Sequence, residues 1–147
     1  YEKVLGLIFE KNSDFCSDFI HLLVHSMRFS VEQDDDIVIF TLKEERLDTL
    51  NSPDVKAELL IIGQPNLIGL IIDLTKVTFC DSAGLSALLL AHRQMKEHEA
   101  PVILVGVGEQ VRNLLRISQL EWLFDYFPTV EDALGAFESV EDYSDEE

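Results

Sequence analysis

The sequence predicts an α/β protein built on a mostly parallel, mixed sheet of about five strands with helices packed against it. Three observations carry that reading. Residues 67–74 and 102–107 are continuous apolar runs rich in β-branched side chains, which suits strands covered on both faces. Apolar residues recur at helical spacing after each of them, at Leu85, Leu88 and Leu89 and at Val111, Leu114 and Leu115. Strand and helix signals then alternate along the chain, as parallel strands joined by crossovers require.

The elements follow in order. Residues 28–33 and 37–42 are two extended stretches separated by the turn-like cluster Asp34-Asp35-Asp36, and together they read as a hairpin. Asn51-Ser52-Pro53 offers an N-cap and a proline in the first turn, predicting a helix over 53–62. After the strand within 66–75, the chain passes Cys80 and Asp81 and enters a helix that begins near Ser82 and runs to about His98, with Pro101 ending it. The strand at 102–107 and the helix at 109–117 come next. Trp122, Phe124, Tyr126 and Phe127 mark a short aromatic strand in which Trp122 is expected in the core or as a partly buried anchor. Thr129 caps a last helix through Phe137, and the acidic residues 138–147 are expected to form a frayed tail.

Composition narrows the functional classes. The 147 residues are 47% hydrophobic and 27% charged, enough for one domain with an ordinary core. No apolar run reaches the roughly 18 residues of a membrane span, so a soluble, cytoplasmic protein is expected. A net charge of -17 argues against nucleic acid and against anionic membranes, both of which are held by clustered Lys and Arg. Two cysteines, Cys16 and Cys80, are too few for a disulfide framework or a metal cluster, and Cys80 reads as a small buried apolar residue. Residues 1–26 precede Met27, the first methionine, and lack the basic start and small-residue cleavage site of a secretory signal. They are read as an extension, with a strand at 4–9 and a helix capped by Ser13 that presents Phe15, Phe19, Leu22 and Leu23, and as a candidate for self-association.

The candidate site is the loop Phe79-Cys80-Asp81-Ser82-Ala83-Gly84. It leaves a strand at the carboxyl end of the sheet and enters a helix N-terminus, the place where α/β proteins build sites. From spacing alone, a structural reading is favoured: Ser82 as a simple N-cap, with Gly84 allowing close packing. A serine hydrolase would need Gly-x-Ser-x-Gly, but Cys80 stands where its first glycine belongs, and His92 lies about 15 Å along the helix at 1.5 Å per residue. A phospho-accepting receiver needs acids after its first strand, whereas Asp34, Asp35 and Asp36 precede a strand. Asp73 reads as a loop-anchoring acid, and His21, His25, His92 and His98 have no metal-ligand spacing. Gly106 and Gly108 lack the third glycine of a dinucleotide site. No catalytic residue, metal or cofactor is expected.

Val77-Thr78-Phe79-Cys80-Asp81-Ser82-Ala83-Gly84-Leu85-Ser86-Ala87-Leu88-Leu89 resembles the signature of the STAS-domain anti-sigma factor antagonists. Glu45-Arg46-Leu47-Asp48-Thr49-Leu50-Asn51-Ser52-Pro53 resembles the loop before that family's first helix, and the order of elements agrees from about Arg28 to Phe137. The resemblance implies a STAS domain over 27–137, phosphorylation of Ser82, and a partner surface of Asp48, Thr49, Asn51, Asp81, Ser82, Ala83 and Gly84. It implies as partners an anti-sigma factor that is also the serine kinase, which would itself hold Mg-ATP, and a serine phosphatase that resets the switch. The alternative within the family is an adaptor or scaffold in another signalling or transport complex, without a sigma target. Serine hydrolysis ranks below both.

Overall fold

The computed structural model describes residues 29–63 and 66–144. The strand, helix and self-association expected of residues 1–26 lie outside the described residues. Strand β1 (Phe29–Asp34) turns at Asp35 and Asp36 into β2 (Ile37–Leu42), with Asp34 paired to Ile37. Asp35 takes the left-handed conformation, φ +52°, that a two-residue hairpin turn demands and that Asp tolerates. The chain then makes the short β3 (Arg46–Leu47), α1 (Ser52–Ile62), β4 (Gly69–Asp73), the short β5 (Phe79–Cys80) and α2 (Ser82–Lys96). It ends with β6 (Val102–Val105), α3 (Glu109–Ile117), a 3-10 turn at Glu121–Leu123, β7 (Asp125–Phe127) and α4 (Val130–Ser144).

The main sheet has the order β1-β2-β4-β6-β7, antiparallel at β1–β2 and parallel elsewhere. This is the five-stranded mixed sheet that the continuous apolar runs predict. Alternate residues of β2, β4 and β6 feed two cores. Val38, Phe40, Leu70, Ile72 and Leu104 pack under α1, α2 and α3 through Leu59, Leu88, Met95 and Leu115. On the other face Ile37, Ile39, Ile71 and Ile103 cluster with Ala133, Leu134 and Phe137 of α4. Each fully buried Leu, Ile or Phe contributes about 1.5 to 3 kcal/mol, so the central strands anchor the domain.

Three local outcomes differ from the sequence reading. Trp122 is 79% exposed, with its indole N–H donating to the Gln119 carbonyl, because the 3-10 turn directs Phe124 inward in its place. The last helix continues to Ser144, into the acidic segment expected to fray. That helix is started as expected by Thr129, whose hydroxyl oxygen accepts from Asp132 N. The parallel pair β3–β5 is a second, two-stranded sheet that no sequence period announces. Among the described residues no helix is long and apolar enough to cross a membrane.

Candidate functional site

The site is assembled where β3 and β5 pair. Leu47 aligns with Cys80 and Arg46 with Phe79, and the Asp81 N–H donates to the Leu47 carbonyl at 3.3 Å. The amides of Thr78 and Phe79 both donate to the Glu45 carbonyl. These bonds bring the loop that precedes α1 alongside the loop that precedes α2, beyond the carboxyl ends of β2 and β4. The Arg46 guanidinium lies 4.2 Å from the Phe79 ring centroid and covers the pair from outside.

Asp81 is the residue that starts α2. In an extended conformation, its Oδ1 accepts from Ala83 N at 2.9 Å and Gly84 N at 3.0 Å. Ser82 is therefore the first helical residue and does not cap the helix, contrary to the expectation from spacing. Its side chain is exposed, and no described residue hydrogen-bonds its hydroxyl. The capping work is done one residue upstream, which leaves the serine free. Ser86, one turn on, is half-buried and donates to the Ala83 carbonyl.

Gly84 is buried and is fixed by the close approach of the two loops. A Cβ there would overlap the Leu47 carbonyl oxygen and crowd Cys80 Sγ. Cys80 is buried as expected, and burial, followed by the nearby Asp81 charge, pushes its thiol up to about 12. It is thus inert as a nucleophile at neutral pH. Gln110 of α3 holds this residue from the far side: Oε1 accepts from Cys80 N at 2.8 Å and Nε2 donates to Cys80 O at 3.0 Å.

The neighbouring loop is as tightly bound. Asp48 accepts from Leu50 N at 3.0 Å and from Arg46 Nε at 3.1 Å. The Leu50 amide bond, then the Arg46 bond, hold its carboxyl below the usual carboxylate range. Asn51 occupies the N-cap position of α1 but turns its side chain into the loop. It accepts from Asp48 N and donates to Arg46 O and Glu44 Oε2. Ser52, the other polar residue of the candidate cap segment, is buried within the first turn. Thr49 and Leu50 face outward here, the latter 87% exposed.

Of the predicted surface residues, Thr49 and Ser82 are exposed, Asp48, Asn51, Asp81 and Ala83 are half-buried, and Gly84 is buried against Leu47. Leu50, Arg46 and Gln110 were not singled out from the sequence. An apolar Leu in a polar loop was the available signal for the first, whereas Gln110 is thirty positions from Cys80 and carries none. His92 stands edge-on to Phe124 at 5.8 Å, its proton affinity lowered by burial first and Lys96 second, and it does not form a catalytic pair with Ser82. Asp73 bonds Thr75 N, the loop-anchoring role its position suggested. Among the described residues no group of three or more His, Cys, Asp or Glu side chains is arranged to hold a metal.

Fold and site together define a small α/β module with a rigidly held, solvent-facing serine loop at the carboxyl pole of its sheet. The STAS domain family model matches residues 28–133, and the chain belongs to the STAS domain family. It is 30% identical over 95 residues to the anti-sigma-B factor antagonist of Listeria monocytogenes, covering 65% of this chain and 82% of that protein. Its fold is similar to that of the anti-sigma factor antagonist SpoIIAA in unphosphorylated form (TM-score 0.66, 20% identity, 76% of this chain and 96% of the other). The Bacillus cell fate determinant SpoIIAA in phosphorylated form is also similar (TM-score 0.61, 21% identity, 74% and 98%).

Proposed function

We propose that the chain is a phosphorylation-switched binding protein of the anti-sigma factor antagonist kind. In this reading the unmodified Ser82 loop docks an anti-sigma factor with serine-kinase activity, and a phosphate on Ser82 releases it. A serine phosphatase restores the binding form, and Mg-ATP belongs to the kinase. The observation that carries the reading is the exposed Ser82 hydroxyl, left without a hydrogen bond among the described residues because Asp81 makes the cap. Kinship with the Listeria antagonist supports the class of partner, and SpoIIAA, which shares the fold, exists in both modification states.

The electrostatics favour a binding switch over a folding switch. Phosphate adds a charge of about -1.5 to -2 at the positive end of α2, where the helix dipole tolerates it. Against a partner, the same dianion beside Asp81 must be desolvated, which opposes docking. Thr49 and Leu50 complete the contact edge, and Leu50 offers an apolar anchor of the kind that interface centres use. Residues 27–137 form the STAS unit in this scheme, and residues 1–26 are an extension to it.

Affinity capture with Ser82→Ala and Ser82→Asp tests the proposal. A serine kinase retained by the first and lost by the second is the expected result. Capture of the same proteins by both would mark a constitutive adaptor or scaffold instead.

A further inference from the structure

We propose that the pole of the sheet opposite Ser82 carries a second docking site, for a basic protein segment bearing a large apolar anchor. This inference is independent of the phosphorylation reading. Two clefts meet there, at the amino ends of the parallel strands. One, of about 660 Å³, runs between α4 and the starts of β6 and β7 and is lined mainly by Ile68, Pro101, Ile103, Phe127, Ala136 and Phe137. The other, of about 600 Å³, is bordered by Asp34, Asp35 and Asp36 of the hairpin turn and by Glu138 of α4. Ile68 and Phe137 line both, so the apolar and acidic clefts adjoin.

The junction is built from fixed parts. The Phe137 ring seats directly over Gly69, where a Cβ would overlap it, so the glycine at the start of β4 admits the aromatic that divides the clefts. Ile68 N donates to the Asp36 carbonyl at 2.9 Å, tying the acidic turn to the apolar wall. Ile68 itself is 45% exposed. The four carboxylates form no ion pair among the described residues, in contrast to Asp48 and Glu121, which are neutralised by arginines. An apolar cleft rimmed on one side by carboxylates that no described cation pairs is complementary to Leu or Phe flanked by Lys or Arg. The strand Gly69–Asp73 spans about 17 Å of extended chain between this pole and the loops at its other end, so the two surfaces can be occupied together.

The test is fluorescence anisotropy at physiological ionic strength with a labelled peptide carrying Lys and Arg on one side and Leu and Phe on the other. The full chain is compared with Ile68→Gln, with Asp34→Asn/Asp36→Asn, and with a control that removes acids elsewhere, Glu97→Gln/Glu99→Gln/Glu109→Gln. All of these positions are exposed, and melting curves establish that each variant is folded. Each site variant is expected to weaken binding about tenfold or more and the control less than about twofold, with peptide-induced chemical-shift changes centred on Ile68 and Phe137. Equal losses in site variants and control would reduce the effect to general attraction by an acidic protein and overturn the proposal. Site variants that bind like the parent would overturn it as well.

Discussion

The side-chain amide of Gln110 pairs with both backbone polar groups of Cys80, at 2.8 and 3.0 Å, and so acts as one more rung beside the two-residue strand β5. It ties α3 to the residue two before Ser82. Gln110→Ala leaves a buried backbone donor and acceptor without that partner, at about 1 to 3 kcal/mol for the unsatisfied groups. Lower thermal stability and faster hydrogen exchange at the Cys80 amide are expected, and unchanged exchange there would show that the rung does not hold the loop.

Ser82 is expected to be the one efficient phosphorylation site. Ser86 has its hydroxyl engaged by Ala83, and Ser52 is buried. Mass spectrometry after reaction with the cognate kinase and Mg-ATP should place phosphate on Ser82 and find Ser82→Ala unmodified. Ser82→Asp should weaken partner binding by at least about tenfold, or 1.4 kcal/mol, with a nearly unchanged melting temperature. Titration calorimetry measures the first quantity and a melting curve the second.

Gly84→Ala puts a methyl group into the Leu47 carbonyl and toward Cys80 Sγ. The obstructing atom is backbone, so the two loops must part. Destabilisation of about 1 to 3 kcal/mol is expected, together with loss of partner binding, because the Asp48 and Asp81 loops no longer share one edge. A variant with parental stability would show that the loops relax without cost.

The sequence exposes those features that obey a short-range period or a turn chemistry. The runs at 67–74 and 102–107 foretell β4 and β6 because burial on both faces keeps them apolar up to the strand end, where Asp73 is the one charged residue. Asp34-Asp35-Asp36 foretells the hairpin, and the resemblance around Ser82 identifies the loop. It does not reveal that Asp81 caps and Ser82 stays free, since both residue types cap helices and only backbone geometry chooses between them. The β3–β5 pair is illegible for a similar reason: two residues have no alternation, and the pairing joins Leu47 to Cys80 across a helix and a strand. Trp122 misleads because its large apolar surface suggests burial, while one hydrogen bond to Gln119 and a 3-10 turn suffice to hold it outside.

Asp48 has a consequence for pH. Its carboxylate is stabilised in the fold by the Leu50 amide and by Arg46, so its folded pKa lies below its unfolded one. Its contribution is present above the ordinary aspartate pKa and is lost as pH falls through the depressed folded value. Asp48→Asn should therefore loosen the loop at neutral pH and differ little from the parent in strong acid. Hydrogen exchange at the Leu50 amide, followed as a function of pH in both proteins, measures this.

Glu58 of α1 behaves in the opposite sense. It is only 5% exposed, and its Oε1 has no hydrogen-bond partner among the described residues. Burial raises its pKa, which means that the folded state disfavours the charged form. Near neutral pH the ionised carboxylate therefore costs stability. The protonated group's contribution, fully present below the unfolded pKa, is lost as pH rises through the folded one. Glu58→Gln keeps the shape and removes the charge, so it should raise stability at neutral pH by relieving the burial of that charge. The gain should shrink as pH falls and the parent carboxyl protonates. Paired denaturant titrations across this range decide the point: a gain that is constant with pH would assign the effect to packing, and a loss at neutral pH would mean that the charge has a partner in solution.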